Sequence, residues 1–384
     1  MSFTLTPEQL EYRTTVRSLC AGSVAPNAAH ADARAEFPRA SWEALSTANV
    51  TGLALPAEYG GQGADLVTWA VAVEEVARAC AATAVTMVVN YGAASLIASL
   101  GTDDQRARYV APAADGTGII AFCQSEPHAG SDVAAIATRA VADGSDWILS
   151  GQKSWVTSGS LARTFLVFAK TAPDAGAKGI TIFVIDADTP GVTIGKHEDK
   201  MGLRGSPTCE VLFEEVRVGT DAVLGEVNAG FAGSMTFLRR SRPIIGAQAV
   251  GVAQAALDAA LAYGREREAF GQRVLDFQGL QFMLADMRIG VETARAMVLR
   301  ACALVDGEEG SDPGLDAMTA AAIAKTHASD VAMRVTTDAV QMLGGAGYVK
   351  DFPVERHMRE AKVFQIYEGT NQIQRWIIAR NMIG

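Results

Sequence analysis

One carboxylate near the end of the chain stands apart because its neighbours in sequence are apolar or uncharged. Glu368 falls within KVFQIYEGTNQIQR, and it is the only charged residue between Lys362 and Arg375. A glutamate held in an apolar cleft has a raised pKa and can accept a proton near neutral pH. Glutamate is also a good helix former, so a solvated glutamate on a helix is the ordinary alternative. The pattern indicates that Glu368 is a candidate general base and leaves that alternative open.

Two motifs in the middle of the chain could contact a planar ligand. SEPHAGSD begins at Ser125, after the strand-like run IIAFCQ, and its small residues and hydroxyls would let a ligand approach the backbone. A plain polar turn would have the same composition. In GQKSWVTSG, Trp155 and Thr157 are two residues apart and would share one face of a strand. Tryptophan can stack on a heterocycle while threonine adds a hydrogen bond, although a tryptophan in the core is equally consistent.

Basic and glycine-rich motifs follow in the last third of the chain. FLRRSR places Arg239, Arg240 and Arg242 before RPIIGAQAVG, and arginines at a helix start can hold phosphates. A solvated basic face is the alternative. The glycines of QMLGGAGY (341–348) would let the backbone approach a diphosphate, but a tight turn between helices explains them as well. No GxGxxG motif follows a strand and opens a helix, so a Rossmann dinucleotide site is not predicted.

The elements that carry these motifs follow one another in three blocks. Residues 1–118 have helical spacing of apolar residues, 119–227 consist of short β-branched and aromatic runs, and helical spacing returns in 228–384. In the last block one helix is predicted from Pro243 to Gly271, a second follows, and a third stops at Gly344. The order predicts a mainly helical α+β chain in which a β domain separates two helical domains.

The bulk composition limits the classes of function. A chain of 384 residues with 49% hydrophobic and 20% charged residues can bury the cores of two or three domains. The net charge is −10 and the isoelectric point is about 5.1. An acidic protein has no overall positive field to attract nucleic acid, so we expect no such partner.

The N-terminus and the cysteines bear on the cellular compartment. Thr6, Pro7 and Gln9 predict a capped helix start, and the N-terminal residues lack the basic and apolar regions of a signal peptide. The five cysteines are scattered and lack CxxC spacing, which predicts reduced thiols in the cytoplasm and no metal site. Residues 79–100 carry no charge and are long enough to span a bilayer, but their alanines and polar residues predict a buried helix and no membrane association.

Taken together, the motifs resemble those of the acyl-CoA dehydrogenases over essentially the whole chain. The resemblance rests on SEPHAGSDV, GQKSWVTSG, MGLRGSPTCEVLFEEVRV, RPIIGAQAVGVAQAALD, REREAFGQ, QMLGGAGYV and IYEGTNQIQR, in the family's order and spacing. It implies a flavoprotein with an N-terminal helical domain, a middle β-barrel or sandwich domain and a C-terminal four-helix bundle, assembled as a homotetramer. FAD would lie between the β domain and the bundle.

The resemblance also implies roles for individual residues. Glu368 matches the family's catalytic base, and Ser125, Trp155 and Thr157 match residues around the flavin ring. The residues implied to hold the rest of FAD, several of them for a neighbouring subunit, are Arg267, Phe270, Gln278, Gln341, Gly344, Gly345, Thr370 and Gln372. The residues implied to contact the substrate are Ser131, Arg242 and Gly369.

For a member of this family, Glu368 would take the pro-R α-proton of an acyl thioester while the β-hydrogen leaves as hydride to flavin N5. The flavin ribityl hydroxyl and the backbone N–H of Glu368 would hold the thioester oxygen. Burial among residues 364–367 is expected to raise the pKa of Glu368. The dipole of a helix ending near Glu368, with Gly369 as its C-cap, would raise the pKa further, and a helix opening near residue 370 would lower it.

Several positions refine this expectation. Some branches of the family carry the base immediately before the arginine matched by Arg242, where this chain has Ser241, which favours the short-, medium- and branched-short-chain type. Arg239 stands where the family often has an aspartate that bonds the pantetheine arm, and His128 replaces a small residue. The thioester could therefore be carried by CoA or by an acyl-carrier protein, whose acidic helix the basic run would attract.

The electron acceptor is expected to be an electron-transfer flavoprotein. An oxygen-using acyl-CoA oxidase on the same scaffold is one alternative, and a catalytically silent binding protein is another. The presence of Glu368 argues against the silent protein. The motifs leave the acyl chain length and branching open.

Overall fold

Three successive regions, helical, strand-rich and helical, make up this computed structural model, which describes residues 5–307 and 315–383. The helices of the first region are α1 (Pro7–Ser23), α2 (Ala25–Arg34), α3 (Arg39–Thr47), α4 (Leu66–Ala79), α5 (Ala81–Leu100), α6 (Asp103–Gln105) and α7 (Ala111–Ala114). The predicted start of α1 is confirmed, because the Thr6 hydroxyl accepts from the Gln9 N–H at 3.2 Å and the Gln9 side chain accepts from the Thr6 N–H at 3.0 Å.

The middle region is a mixed sheet. Its strands are β1 (Ile120–Cys123), β2 (Arg139–Asp143), β3 (Asp146–Thr157), β4 (Thr164–Lys170), β5 (Ile180–Asp186), β6 (Val192–His197), β7 (Thr208–Gly219) and β8 (Val223–Leu224). They lie in the order β6-β7-β3-β2-β4-β5-β8, with β1 paired in parallel to β4. The pairs β3·β7, β4·β5 and β6·β7 are antiparallel, which differs from the parallel sheet of a Rossmann domain.

Strand β4 joins the sheet to the helices. Phe165 and Val167 point to an apolar cluster within the β region, whereas Leu166 and Phe168 belong to the larger core shared with the helices. Successive side chains of a strand point to opposite faces, so this alternation means that β4 is covered on both sides. The β region is therefore packed firmly against the helical regions rather than tethered to them.

The last region contains long helices. Its elements are α8 (Gly230–Glu266), a hairpin of β9 (Glu268–Ala269) and β10 (Gln272–Arg273), α9 (Gln278–Val305), α10 (Ala317–Leu343), α11 (Val354–Ala361) and α12 (Asn371–Ile383). The prediction that the first of these helices starts at Pro243 is wrong, because Pro243 lies inside α8. Proline removes one helical hydrogen bond, but Pro243 and its neighbours Ile244 and Ile245 are buried, and this packing holds the helix continuous.

Two helices of the described residues, α5 and α8, are long and apolar enough to cross a membrane by length and composition alone. In both, 83% of the most apolar window is buried inside the protein. Helix α5 corresponds to the charge-free stretch that the sequence predicted to be a buried helix. Its apolar surface is covered by other parts of this chain.

Candidate active site

The segment that carries Glu368 is not helical. Helix α11 ends at Ala361, a 3₁₀ turn covers Lys362–Gln365, and α12 begins at Asn371. Glu368 and Gly369 follow each other with φ of +56° and +88°. The predictions that a helix ends near Glu368 and that Gly369 is its C-cap are therefore wrong. A left-handed conformation is costly for a residue other than glycine, so contacts from elsewhere must hold this turn.

A direct contact from α8 fixes the Glu368 side chain. The Ser241 hydroxyl donates to Glu368 Oε2 at 2.7 Å, and the Ser241 side chain is buried. The next residue, Arg242, is only 2% exposed and donates to the Met318 sulfur at 3.1 Å. Among the described residues, Arg242 Nε has no hydrogen-bond partner. Glu368 itself is half-buried, and its carboxylate thus lies beside a buried guanidinium.

The surroundings set the acidity of Glu368. Burial raises the pKa of Glu368, while the Ser241 hydrogen bond and the charges of Arg242 and Lys325 act in the opposite direction. The raised pKa agrees with the sequence expectation. One predicted neighbour differs, because Ile366 is 52% exposed and does not contribute to the apolar wall, whereas Phe364 is fully buried.

Other side chains anchor the turn itself. The Tyr367 hydroxyl donates to Gln248 Oε1 at 2.7 Å, and Gln374 Nε2 donates to the carbonyl oxygens of Glu368 and Gly369 at 3.2 and 3.0 Å. Lys325, fully buried on α10, also donates to the Gly369 carbonyl at 2.8 Å. In the described parts of the chain, the backbone N–H of Glu368 makes no hydrogen bond. It is therefore available as a donor to a ligand.

We use "base cluster" for Ser241, Arg242, Lys325 and Glu368. The sequence pattern pointed to Glu368 and Arg242 but gave no indication of a role for Lys325 or of the hydrogen bond made by Ser241. One signal was available, namely a lone lysine within the alanine-rich run LDAMTAAAIAKTHASD. A lysine that interrupts the buried face of a helix needs partners for its ammonium group.

Strand β3 presents the predicted aromatic residue at a bulge. The β3·β7 register shifts between Lys153 and Val156, and Trp155 has a φ of +60°. The indole is 61% exposed, which excludes the alternative of a core tryptophan. Thr157, two residues on, is partly exposed. The bulge directs a flat aromatic face outward beside a hydroxyl, an arrangement that suits stacking on a ring.

The loop that begins at Ser125 is tied to this strand. The Ser154 N–H donates to the Ser125 carbonyl at 2.9 Å. The carboxylate of Glu126 is buried and accepts from the Lys153 ammonium at 2.7 Å and from the N–H of Thr138 at 2.9 Å. This buried ion pair was not predicted from the sequence. It makes the loop a rigid part of the β region.

The same loop also reaches helix α8. Gln124 Nε2 donates to the Ser234 hydroxyl at 2.8 Å, and the rings of Phe122 and Phe237 stack with centroids 4.3 Å apart. Ser234 and Ser241 are seven residues apart and lie on one face of α8. The Ser125 loop therefore borders the base cluster. Ser131, at the end of that loop, is exposed.

A cavity of about 180 Å³ lies beside the turn that carries Glu368. Thr370 and Gln372, both predicted to close over a cofactor, are among its lining residues. Asn371 lines it as well, together with Lys362 and the ion pair of Arg375 with Asp330. The lining is therefore polar and carries charges of both signs.

The remaining predicted cofactor residues lie far from the base cluster. We use "tip cluster" for the following residues, which are all exposed at one end of the helical region: Arg267, Phe270, Gln278, Gln341, Gly344 and Gly345. Ser241 and Glu266 are 25 residues apart on α8, so at 1.5 Å per residue the two clusters are about 38 Å apart along the helix axis. The structure therefore does not bring the two sets of residues together within one chain.

The tip cluster has an open and strained geometry. Phe270 is 96% exposed at the turn of the β9–β10 hairpin, with a φ of +52°. A Cβ placed on Gly344 or Gly345 would meet no atom within 4 Å, whereas one on Gly347 would lie 2.4 Å from the Val340 carbonyl. The first two glycines leave the backbone open to a ligand, and Gly347 serves the close packing of the turn. The interpretation as a tight turn therefore applies to Gly347, and the approach of a diphosphate to Gly344 and Gly345 stays a prediction.

The basic run FLRRSR is neither a helix start nor a solvated face. It lies within α8, where Arg242 is buried and Arg240 bonds to Asp306 at 3.2 Å and lies 3.5 Å from the Tyr91 hydroxyl. The helix begins much earlier, at Gly230, so the expectation of phosphate-binding arginines at a helix start is wrong. The run therefore presents no continuous basic patch.

These features fit an extended cofactor with a flat ring and phosphate groups. Trp155, Thr157 and the Ser125 loop offer an exposed aromatic face with hydroxyls, and the cavity at Thr370 offers polar groups next to the base cluster. The tip cluster offers a cation, an aromatic ring and open glycine backbone. Because it lies so far away, it fits the other end of a cofactor bound by a second copy of the chain.

Comparisons with known proteins agree with this architecture. Family models for the acyl-CoA dehydrogenase N-terminal, middle and C-terminal domains match residues 6–117, 121–216 and 228–383. The probable acyl-CoA dehydrogenase FadE25 of Mycobacterium tuberculosis is 47% identical over 383 residues, which cover 99% of this chain and 97% of that protein.

Solved structures match over the full length. The structure of butyryl-CoA dehydrogenase from Megasphaera elsdenii is 38% identical with a TM-score of 0.95 and full coverage of both chains. A chain in the structure of the electron transferring flavoprotein of Acidaminococcus fermentans is 41% identical, with the same TM-score and coverage. The predicted three-domain fold is confirmed, and the chain belongs to the acyl-CoA dehydrogenase family of oxidoreductases.

Proposed function

We propose that this chain oxidises a saturated short-chain acyl-CoA to the trans-2-enoyl-CoA, with Glu368 as the base. The observation that carries the proposal is the Glu368 carboxylate, which the Ser241 hydroxyl holds at 2.7 Å beside the buried Arg242. A carboxylate with a raised pKa can accept the weakly acidic α-proton of a thioester. The short-chain assignment is supported by the likeness to butyryl-CoA dehydrogenase.

The thioester oxygen requires a hydrogen-bond donor as the α-proton leaves. The backbone N–H of Glu368 has no partner in the described residues, and it belongs to the residue that carries the base. A donor fixed next to the base stabilises the developing negative charge at the oxygen without reorganisation. Arg242, Gly369 and Ser131 are the further residues that we propose to border the substrate.

We propose FAD as the cofactor, with its ring against Trp155, Thr157 and Ser125 and its polar arm at Thr370 and Gln372. When bound, FAD would supply the acceptor for the β-hydrogen, which leaves as hydride. The tip cluster of a neighbouring copy would hold the diphosphate and adenosine, as the separation of about 38 Å along α8 suggests. A homotetramer and an electron-transfer flavoprotein as acceptor belong to the same proposal.

CoA is favoured over a carrier protein as the thioester carrier. An acidic carrier helix needs an exposed basic surface, but Arg242 is buried and Arg240 is bonded to Asp306. We place the enzyme in the cytoplasm, where all five cysteines, which are buried and free, would stay reduced.

Anaerobic mixing of the purified flavoprotein with butyryl-CoA tests the proposal. We expect the flavin absorbance to bleach and crotonyl-CoA to form, with slower bleaching by the matching acyl-carrier-protein thioester. Absence of bleaching with saturated thioesters of any length would contradict the proposal. Faster bleaching by the carrier-protein thioester would indicate that the carrier protein, rather than CoA, carries the substrate. Hydrogen peroxide formed in air at the rate of turnover would indicate an oxidase.

A further inference from the structure

The most unusual buried group outside the proposed chemistry is a lysine. Lys325 on α10 is 0% exposed, and its ammonium donates to the Gly369 carbonyl at 2.8 Å and to Asn371 Oδ1 at 3.0 Å. Both partners are neutral oxygens, and in the described residues Lys325 makes no ion pair with a carboxylate. Burying an ammonium with neutral partners alone is unfavourable. If Lys325 served only the stability of the fold, an apolar residue could therefore take its place at little cost in free energy.

The nearest carboxylate off the turn is already engaged. Asp330 accepts from Asn371 Nδ2 at 2.8 Å and from Arg375 at 2.6 Å. Asn371 therefore links Lys325 to Asp330 without a direct ion pair. The arrangement leaves the Lys325 ammonium close to a turn in which two consecutive residues, Glu368 and Gly369, are left-handed.

The hydrogen bond from Lys325 to the Gly369 carbonyl restrains the backbone around Glu368. A hydrogen bond to this oxygen sets the peptide that follows Gly369, and the bond to Asn371 fixes the first residue of α12. Between these two points and Tyr367, which Gln248 anchors, the backbone of Glu368 has little freedom. The direction of both its side chain and its free N–H follows from that constraint.

We propose that Lys325 is a positioning residue for the dehydrogenation: its buried ammonium holds the Glu368–Gly369 turn so that the carboxylate and the N–H of Glu368 face the same substrate. The expected effect on the rate rests on the proposed function, whereas the claim that Lys325 holds the turn rests on the geometry alone. A misplacement of the base by about 1 Å would cost about 100-fold in rate.

The charge of Lys325 has a second effect on the base. Burial lowers the pKa of Lys325 to about 7, with Glu368 and Asp330 acting to raise it and Arg242 and Arg375 acting to lower it further. In return, the positive charge favours the ionised form of Glu368. Removing the charge therefore raises the pKa at which the base becomes active.

The test compares Lys325→Met with Lys170→Met in the flavin-loaded enzyme. Lys170 is a matched control because it is also a buried lysine whose ammonium donates to a backbone carbonyl, that of Gly176, in the β region. For Lys325→Met we expect hydrogen–deuterium exchange of the amides in residues 366–371 to accelerate by about tenfold or more. We expect kcat to fall by about 100-fold with KM within about threefold, and the acid limb of kcat/KM to move to higher pH.

The unfolding temperature distinguishes a role of Lys325 in positioning the turn from a role in stabilising the fold. Because the methionine removes a buried charge, we expect the unfolding temperature of Lys325→Met to equal or exceed that of the parent. Lys325→Gln keeps a donor without the charge, and we expect it to restore part of the exchange protection but leave the pH limb shifted. Lys170→Met should leave all three readouts of the turn unchanged.

Any one of four results would overturn the proposal. For Lys325→Met, these are unchanged exchange in residues 366–371, a kcat within about threefold of the parent, or a loss of activity that merely follows a lowered unfolding temperature. The fourth is an equal loss in Lys170→Met. If the parent itself fails to turn over acyl thioesters, the proposed function fails, while the exchange data still decide whether Lys325 holds the turn.

Discussion

The candidate site residues at the two ends of helix α8 differ in their exposure to solvent. In the base cluster, Ser241, Arg242 and Lys325 are buried and Glu368 is half-buried. Ser241 on α8 bonds to Glu368, and Lys325 on α10 bonds to the adjacent Gly369. The tip cluster is exposed, and Phe270 projects almost entirely into solvent from a backbone with positive φ. A strained and bare aromatic residue is unfavourable in an isolated chain, so its presence points to a partner that covers it.

The difference shows which part of the candidate site a single chain can form and which part it leaves incomplete. The base cluster has its serine donor, its cations and its anchored turn without a ligand or a second copy. In the tip cluster the Gly344 N–H donates to the Gln341 carbonyl, and the exposed Phe270 ring has an edge contact with Phe277, outside the cluster, at a centroid distance of 6.1 Å. We therefore propose that chemistry takes place at the buried end and that the exposed end helps to retain the cofactor.

The largest effect is expected at the buried end, from Glu368→Gln. The amide keeps the size of the side chain and can accept from Ser241, but it cannot take a proton, so kcat should fall by about 1,000-fold or more. Flavin content and the unfolding temperature should stay close to those of the parent. Stopped-flow bleaching with butyryl-CoA measures the rate, and a loss below about tenfold would show that another group is the base.

Removal of the exposed aromatic residue tests the other end, with Phe270→Gly as the variant. Glycine accepts the positive φ without strain, so the isolated chain should be equally or slightly more stable. FAD should be retained about tenfold less tightly, and the assembly should dissociate at higher protein concentration. Flavin release on dilution and sedimentation give the two readouts.

Val141→Ala provides the control for this variant, because Val141 is 56% exposed on β2 and belongs to neither cluster. It should change neither flavin retention nor assembly. Parent-like flavin binding in Phe270→Gly would mean that the tip cluster is not part of a cofactor site, and the contrast between the two ends would lose its basis.

The smallest effect is expected for Ser241→Ala. The serine hydrogen bond favours ionised Glu368, so its loss raises the pKa of the base and moves the acid limb of kcat/KM to higher pH. Above that limb the rate should change little. Ser241→Thr keeps the hydroxyl and should keep the parent profile, whereas a limb that moves to lower pH would contradict the geometry at Glu368.

Periodicity in the sequence was enough to predict the order of the regions, because burial imposes a repeat of about 3.6 residues on helices and two on strands. The charge-free run became α5, and the β-branched runs became the sheet. Local rules failed at Pro243 and before Glu368. Packing of buried neighbours overrides the breaking effect of Pro243, and contacts from distant residues stabilise a turn at Glu368 that no local preference favours.

The candidate site was predictable by residue type but not by partner. The isolated charge of Glu368 in an apolar run marked it as a candidate base. Its bond to Ser241 joins residues 127 positions apart, and the bond from Lys325 to Gly369 spans 44 positions. Pattern reasoning follows neighbours along the chain, so contacts set by the packing of α8 against α10 lie beyond it.

Because α8 is one continuous helix that carries both ends of the proposed site, it fixes their relative orientation about the helix axis as well as their spacing. Each residue of an α-helix turns the chain by about 100°. Inserting or deleting one residue between Ser241 and Glu266 would leave every side chain in place locally and yet aim the hairpin of Phe270 in a different direction. Side chains along this helix can therefore vary during evolution more freely than the number of residues it contains.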